Sequence, residues 1–274
     1  MRAERERERE SMESSILQGL IYPPTWFVMV MSVLTVAFLG NNGITEIRGN
    51  QLQYSKFWNV GSQKSTFKVS GRKGMFMVYF PAFLFGLASF CLFPNQGLRF
   101  ILVKSALTIH FLKRTLEVLF VHKYSGPMFV DIATMISLNY FINTALMIYA
   151  QHLNRGLMEP QVDLKYPGIA IFLVGLSGNF YHHCLLSNLR GEGKQEYYKI
   201  PKGGLFSLVI CPHYLFEILG FIGVSCIAQT WSAVSFTLGS AILLMGRSYG
   251  TRRWYLSKFE DFPEDVKAIF PFVF

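Results

Sequence analysis

The chain has 274 residues, of which 51% are hydrophobic and 16% charged, and its formal charge is +9. Soluble domains are nearer about a quarter charged, and here the apolar residues come in unbroken blocks rather than in two- or 3.6-residue alternation. Those features exclude an ordinary soluble enzyme, a disordered chain and a disulfide-stapled secreted domain, and they predict an all-α, polytopic membrane protein.

Residues 1–15 form a charged tail around RAERERERE at 2–10. The tail carries no apolar run, so no secretory signal is expected in it, and its composition suits a solvated, disordered segment. Residues 16–274 read as one membrane domain with seven transmembrane helices, at 16–40, 74–93, 97–121, 128–150, 168–189, 203–228 and 229–249. Each approaches the ~20 residues that cross about 30 Å of hydrocarbon. Pro23-Pro24 breaks the first span, leaving 26–40 as its solid part. The longer connections are 41–73, 151–167 and 190–202. With the C-terminus cytosolic, the cytosolic segments hold 16 Lys and Arg against three in the opposite loops. The positive-inside rule therefore places the C-terminus in the cytosol, and the basic balance needs no nucleic-acid partner. Cys91, Cys184, Cys211 and Cys226 lie in apolar segments without CxxC spacing and read as small buried hydrophobes.

Ionisable groups within a bilayer are costly and face a bundle interior or a wet cavity. In IHFLKRTLEVLFVHKYSG, the residues His110, Arg114, Glu117 and Val121 share one helix face. Arg114 and Glu117 either pair with each other or serve a site. In GNFYHHCLLSNLR, one stripe carries Asn179, His182 or His183, Leu186 and Arg190. Asn179 reads as interhelical glue or as an amide contact. In CPHYLFE, Pro212 should kink or interrupt the helix, with His213 and Glu217 following at i and i+4. That pair either locks the kink or forms a site. Arg247, Arg252, Arg253 and Tyr255 make a basic, aromatic mouth suited to lipid headgroups or to a dinucleotide phosphate. No GxGxxG, P-loop, GxSxG or histidine-rich metal pattern is present, so a Rossmann site and a bound metal are not expected.

Taken together, the segments HFLKRTLEVLFVHKYSG, LGNFYHHCLLSNLR, YKIPKGGLFSLVICPHYLFEILGFIG and GRSYGTRRWYLSKFEDFPEDVKAIFPFVF resemble the steroid 5α-reductase family, which includes the very-long-chain enoyl-CoA reductases. The middle segments look more like the enoyl-CoA branch. The resemblance covers residues 70–274 and implies a seven-helix, endoplasmic-reticulum reductase that takes NADPH from the cytosol without a Rossmann fold. It implies cofactor-binding roles for Asn179, Arg190, Tyr198, Glu217, Arg247 and Tyr255. His213, also placed in the cofactor-binding set, stands where the family has Asn, and Thr251 where it has His. The family's carbonyl-binding Glu and Tyr align with Tyr79 and Phe111, so Tyr79 and then His110 become the candidate catalytic donors, with Phe111 and Arg114 in the substrate pocket.

The expected activity is NADPH-dependent reduction of a C=C conjugated to a carbonyl, first the Δ4 bond of a 3-oxo steroid. A trans-2-enoyl-CoA of fatty-acid elongation is the alternative substrate. Lys64, Lys68, Arg72 and Lys73 offer a CoA a basic entrance. A non-enzymatic transporter or lipid-binding protein explains the spans but not the C-terminal motif set, and no inverted repeat supports it.

Overall fold

The computed structural model describes residues 19–52, 54, 57, 67–94, 97–124, 126–189 and 199–274. The charged tail, Arg190 and Tyr198 lie outside them. Among the described residues are seven α-helices, α1 (Trp26–Ile47), α2 (Gly71–Leu92), α3 (Leu98–Leu116), α4 (Val130–Leu153), α5 (Lys165–Asn188), α6 (Pro212–Ala228) and α7 (Trp231–Lys258). A π-helical turn, Glu117–Val121, continues α3. Two short strands, β1 (Lys68–Ser70) and β2 (Pro127–Phe129), pair antiparallel in the register Val69↔Met128. They gather the starts of α2 and α4 and the end of α3 at one end of the bundle, the sheet end.

Helices α1, α2, α4 and α5 are long and apolar enough to cross a membrane. Helix α6 has 17 residues, while α3 and α7 carry the inward cations Arg99, Lys104, Arg114 and Arg247. Trp26, Val33 and Leu173 are largely exposed, as an outward face bathed in hydrocarbon demands. Cys211 alone of the four cysteines is buried; Cys91, on the outward-facing last turn of α2, is exposed, and Cys184 and Cys226 are intermediate.

Two helix ends differ from the sequence expectation. Helix α1 runs through GNNG to Ile47 instead of stopping at Gly40. Gly43 is not a terminator there. It lets α7 approach, since a Cβ on Gly246 would lie 2.2 Å from the Gly43 carbonyl oxygen. The sixth span starts as a 3₁₀ turn, Gly204–Ser207, and its α-helix begins at Pro212. A proline fits the first helical turn, where its missing N–H has no intrahelical acceptor to lose.

Helices α5 and α6 meet along a seam of small residues, the way membrane helices bring their backbones together. A Cβ on Gly175 would sit 2.3 Å from Gly220 N, whereas one on Gly220 meets nothing within 4 Å. Gly175→Ala is therefore expected to lower unfolding stability by about 1–3 kcal/mol through overpacking, and Gly220→Ala to leave the thermal midpoint nearly unchanged. Equal midpoints for the two variants would disprove the close approach. At the end opposite the sheet, buried Arg99 closes the α6–α7 turn, donating to the Ile227 carbonyl (2.8 Å) and Gln229 Oε1 (2.7 Å) and pairing with Asp163 (2.8 Å).

Candidate active site

The two small-residue seams bring the functional side chains together. Where α1 touches α7 through Gly43 and Gly246, the adjacent Glu46 and Arg247 meet, with Nη1 2.8 Å from Oε1. Where α5 touches α6, Asn179 reaches the first turn of α6. Its Nδ2 donates to the His213 carbonyl at 2.8 Å and lies 3.5 Å from Glu217 Oε2.

A buried polar cluster spans α2, α3 and α5. Arg114 and Glu117 do pair, at 2.8 Å, but the pair is one link of a larger group. Arg114 Nη2 donates to the Tyr79 hydroxyl oxygen at 2.5 Å, and the guanidinium lies 4.5 Å over the Tyr79 ring. His183 Nδ1 is 3.1 Å from both Arg114 Nη1 and Glu117 Oε1. Lys113 Nζ pairs with Glu117 Oε1 at 2.9 Å and also donates to Asn179 Oδ1. Because the Tyr79 oxygen accepts from a cation, its own O–H is polarised and remains available as a donor.

The adjacent histidines separate. His182 has one ring nitrogen at the Gly178 carbonyl (2.7 Å), and its Nε2 accepts from Leu205 N (3.1 Å). It stacks on Phe216 and so pins the segment after Gly203 to α5, while His183 faces the cluster. His213 packs its ring 5.4 Å from that of His183. His110 Nε2 is buried without a partner, its ring between Phe111 (5.0 Å) and Phe221 (4.9 Å). Buried Phe111 in turn packs on Tyr140, which also meets Tyr79 at 5.5 Å.

Beside this cluster is an apolar cleft. Helices α1 and α4 are joined by a Thr35 Oγ1 to Asn143 Oδ1 hydrogen bond of 2.9 Å and by the Val28, Leu146 and Ala150 contact. Toward the sheet end they face each other across about 450 Å³ of space, open mouth included, with Phe38 and Asn42 on one side and Met135 and Asn139 on the other. Tyr140, Glu217 and Phe221 also line it. Phe38 in its wall is exposed, as is Leu138 next to Asn139 in sequence.

The basic mouth divides into separate structural contacts. The Arg247 guanidinium is buried; besides Glu46 it donates to the carbonyls of Leu52 (3.0 Å) and Tyr54 (3.3 Å), and it lies over the rings of Tyr54 and Phe57. Arg252 donates to the Val266 and Glu264 carbonyls, and Arg253 lies over Tyr249. Tyr255 is buried with Ile210, Cys211, Phe262 and Val266, its hydroxyl 3.5 Å from the Lys199 carbonyl. Thr251 is buried on α7.

Three further members were not singled out from sequence: Lys113, Glu46 and His122. Lys113 and Glu117 stand at i and i+4, a legible signal that the His110-based stripe obscured. Glu46 falls in the 41–73 connection when the first span ends at Gly40, whereas the helix runs on to Ile47. His122 joins through the π turn, whose i→i+5 bond, His122 N to the Glu117 carbonyl at 2.7 Å, stacks position 122 over 117. Ligand atoms of Glu117, His122 and His183 all lie within 4.8 Å of one another. Lys113 and Arg114 already neutralise Glu117, so the triangle offers a metal cation no net negative charge. Burial pushes the His122 imidazole down to about 2, which keeps it neutral, with one ring nitrogen a donor and the other an acceptor. Its Nδ1 is 3.1 Å from the Tyr124 hydroxyl.

A profile described as 3-oxo-5-alpha-steroid 4-dehydrogenase matches residues 127–274. The steroid 5-alpha-reductase DET2 of Gossypium hirsutum is 42% identical over 108 residues, 39% of this chain and 42% of that protein. The very-long-chain enoyl-CoA reductase of Dictyostelium discoideum is 34% identical over 175 residues, 61% of this chain and 55% of that protein. The 3-oxo-5-alpha-steroid 4-dehydrogenase 1 of Mus musculus is 28% identical over 235 residues, 82% of this chain and 90% of that protein. The matched segments of the first two relatives span about half their lengths. With more than half of its residues inside the profile, and with the membrane-helix bundle that the motifs imply, this chain belongs to the 3-oxo-5-alpha-steroid 4-dehydrogenase family.

Proposed function

We propose that the chain is an NADPH-dependent reductase of the endoplasmic-reticulum membrane, its C-terminus cytosolic, that reduces a C=C conjugated to a carbonyl in a lipid-like substrate. The first substrate reading is the Δ4 bond of a 3-oxo steroid. The observation that carries the reading is a polarised phenol, Tyr79, held by Arg114 and packed behind Tyr140, which lines the apolar cleft between α1 and α4. The apolar wall suits a flat, oily enone, and a buried O–H donor stabilises the negative charge that develops on its carbonyl oxygen.

Glu217 in the cleft wall and Asn179 beside it supply the acceptor and donor that the carboxamide end of the cofactor needs. The phosphate end calls for cations with uncommitted donors. Arg247 has its donors on Glu46, Leu52 and Tyr54, so that end falls first to Arg190 and Tyr198, with Tyr255, whose hydroxyl is 3.5 Å from the carbonyl of Lys199, and Arg247 released only if its loop moves. Bound NADPH supplies a hydride to the substrate's β carbon. The chain's own residues exclude water through the Phe38, Met135 and Phe221 walls, orient the carbonyl through Tyr79, and keep His110 as a second donor behind Phe221.

A trans-2-enoyl-CoA is the second reading, supported by similarity to enoyl-CoA reductases over 61% and 70% of this chain, beside the 82% matched by a 3-oxo-5-alpha-steroid 4-dehydrogenase 1. The purified protein in nanodiscs, given NADPH and either progesterone or a long-chain trans-2-enoyl-CoA, should oxidise NADPH with one of the two. Consumption with progesterone supports the first reading and with the thioester the second. Consumption with neither, in protein shown to be folded, overturns both.

A further inference from the structure

Reduction of a conjugated C=C needs a proton as well as a hydride, and nothing above supplies it. Along the substrate the order is carbonyl oxygen, carbonyl carbon, α carbon, β carbon. Tyr79 marks the oxygen end, and Asn179 with Glu217 marks the hydride end. Lys113 stands between them. Its ammonium is bonded to Asn179 on one side and to Glu117 on the other, and Glu117 in turn bonds the Arg114 that holds Tyr79. Behind Lys113 the polar side chains continue through hydrogen-bond distances and one ring contact between two histidines. Glu117 Oε1 is 3.1 Å from His183; the rings of His183 and His122 are perpendicular at 4.7 Å; and His122 Nδ1 is 3.1 Å from the Tyr124 hydroxyl. Tyr124 lies past the end of the π turn, at the sheet end. The π turn itself makes this line, because an α-helical continuation would turn position 122 away from position 117.

We propose that Lys113 is the catalytic proton donor to the substrate's α carbon, and that Glu117, His183, His122 and Tyr124 form the line that reloads it from the sheet end of the bundle. This rests on the reductase reading above. As the β carbon gains the hydride with its electron pair, the π electrons of the C=C pass to the α carbon. A C–H bond forms there as an N–H bond of the Lys113 ammonium breaks. Lysine is left as the neutral amine, the nicotinamide is oxidised by two electrons, and one proton from water restores the ammonium through the histidines.

Lys113→Arg separates this role from a structural one. A guanidinium keeps the charge and the bonds to Glu117 and Asn179 but does not give up its proton. In the same nanodiscs, with whichever substrate the wild type reduces, Lys113→Arg should keep the wild-type thermal midpoint and lose turnover about 10²–10⁴-fold, the usual worth of a positioned acid. Lys113→Ala should regain part of its turnover when methylamine is added, and His183→Gly when imidazole is added. Wild-type product formed in D₂O should carry deuterium at the α carbon, and the solvent isotope effect on turnover should be smaller in His183→Gly once imidazole bypasses the line. Wild-type turnover in Lys113→Arg, or amine rescue absent in an otherwise folded Lys113→Ala, overturns the proton line while leaving the reductase reading intact. A wild type inert with both substrates removes the reading and the line together.

Discussion

Tyr79→Phe should lower turnover about 10²–10³-fold, the usual cost of deleting one donor to a developing oxyanion, while the dissociation constant for NADPH changes little. The substitution is chemically narrow. The ring keeps its place under the Arg114 guanidinium, 4.5 Å away, and against Tyr140. Arg114 retains Glu117 and His183 as partners, so the cluster does not lose its charge balance. What disappears is one polarised O–H behind Tyr140, a residue of the cleft wall. Turnover and cofactor binding must be measured separately, because a loss in both would mean that Arg114 had moved. Full activity in Tyr79→Phe would take Tyr79 out of the donor role and pass it to His110, whose Nε2 is buried without a partner.

Arg247→Ala should cost about 3–5 kcal/mol of stability, the range for leaving one member of a buried ion pair alone. Glu46 would keep its bond from Leu52 N but lose its cation. The carbonyls of Leu52 and Tyr54 would lose a donor, and the segment that carries Leu52 into the cleft wall would lose its anchor on α7. The double variant Glu46→Gln/Arg247→Ala should recover much of the loss, since no uncompensated charge then remains. Thermal unfolding in detergent tests this. NADPH titration of the double variant tests the phosphate role: a dissociation constant equal to wild type in a folded protein excludes Arg247 from phosphate binding, whereas a tenfold or larger increase assigns it there.

Much of the candidate site was readable from residue spacing. Arg114 and Glu117 sit at i and i+3 on one helix, and His213 and Glu217 at i and i+4 on another, so a helical assumption alone places each pair on one face. Tyr79 is different. Composition singles out no tyrosine among 13, and only the alignment to the family's carbonyl-binding Glu raised it. Its bond to Arg114 is a meeting of two helices. The assignment of Arg247 to phosphate was reasonable for an arginine near a membrane surface. Its actual partner, Glu46, is 201 residues away, beyond the Gly40 end of the expected first span, and only the close approach of Gly43 and Gly246 brings the two together.

The all-helical membrane bundle followed from the primary structure without any contact information, because span length against bilayer thickness is a property of each segment taken alone. Four helices satisfy it by length and apolarity, and the charged stripes on the rest mark which faces turn inward. The folded molecule alone settled which inward groups meet. Backbone contact at Gly43–Gly246 and Gly175–Gly220 sets the Glu46–Arg247 and Asn179–His213 pairings, the π turn brings His122 over Glu117, and the parting of α1 from α4 opens the cleft. Each depends on two segments distant in the chain coming within a few ångströms, or on a local departure from α-helical periodicity, and neither is encoded in the spacing of residues along one helix.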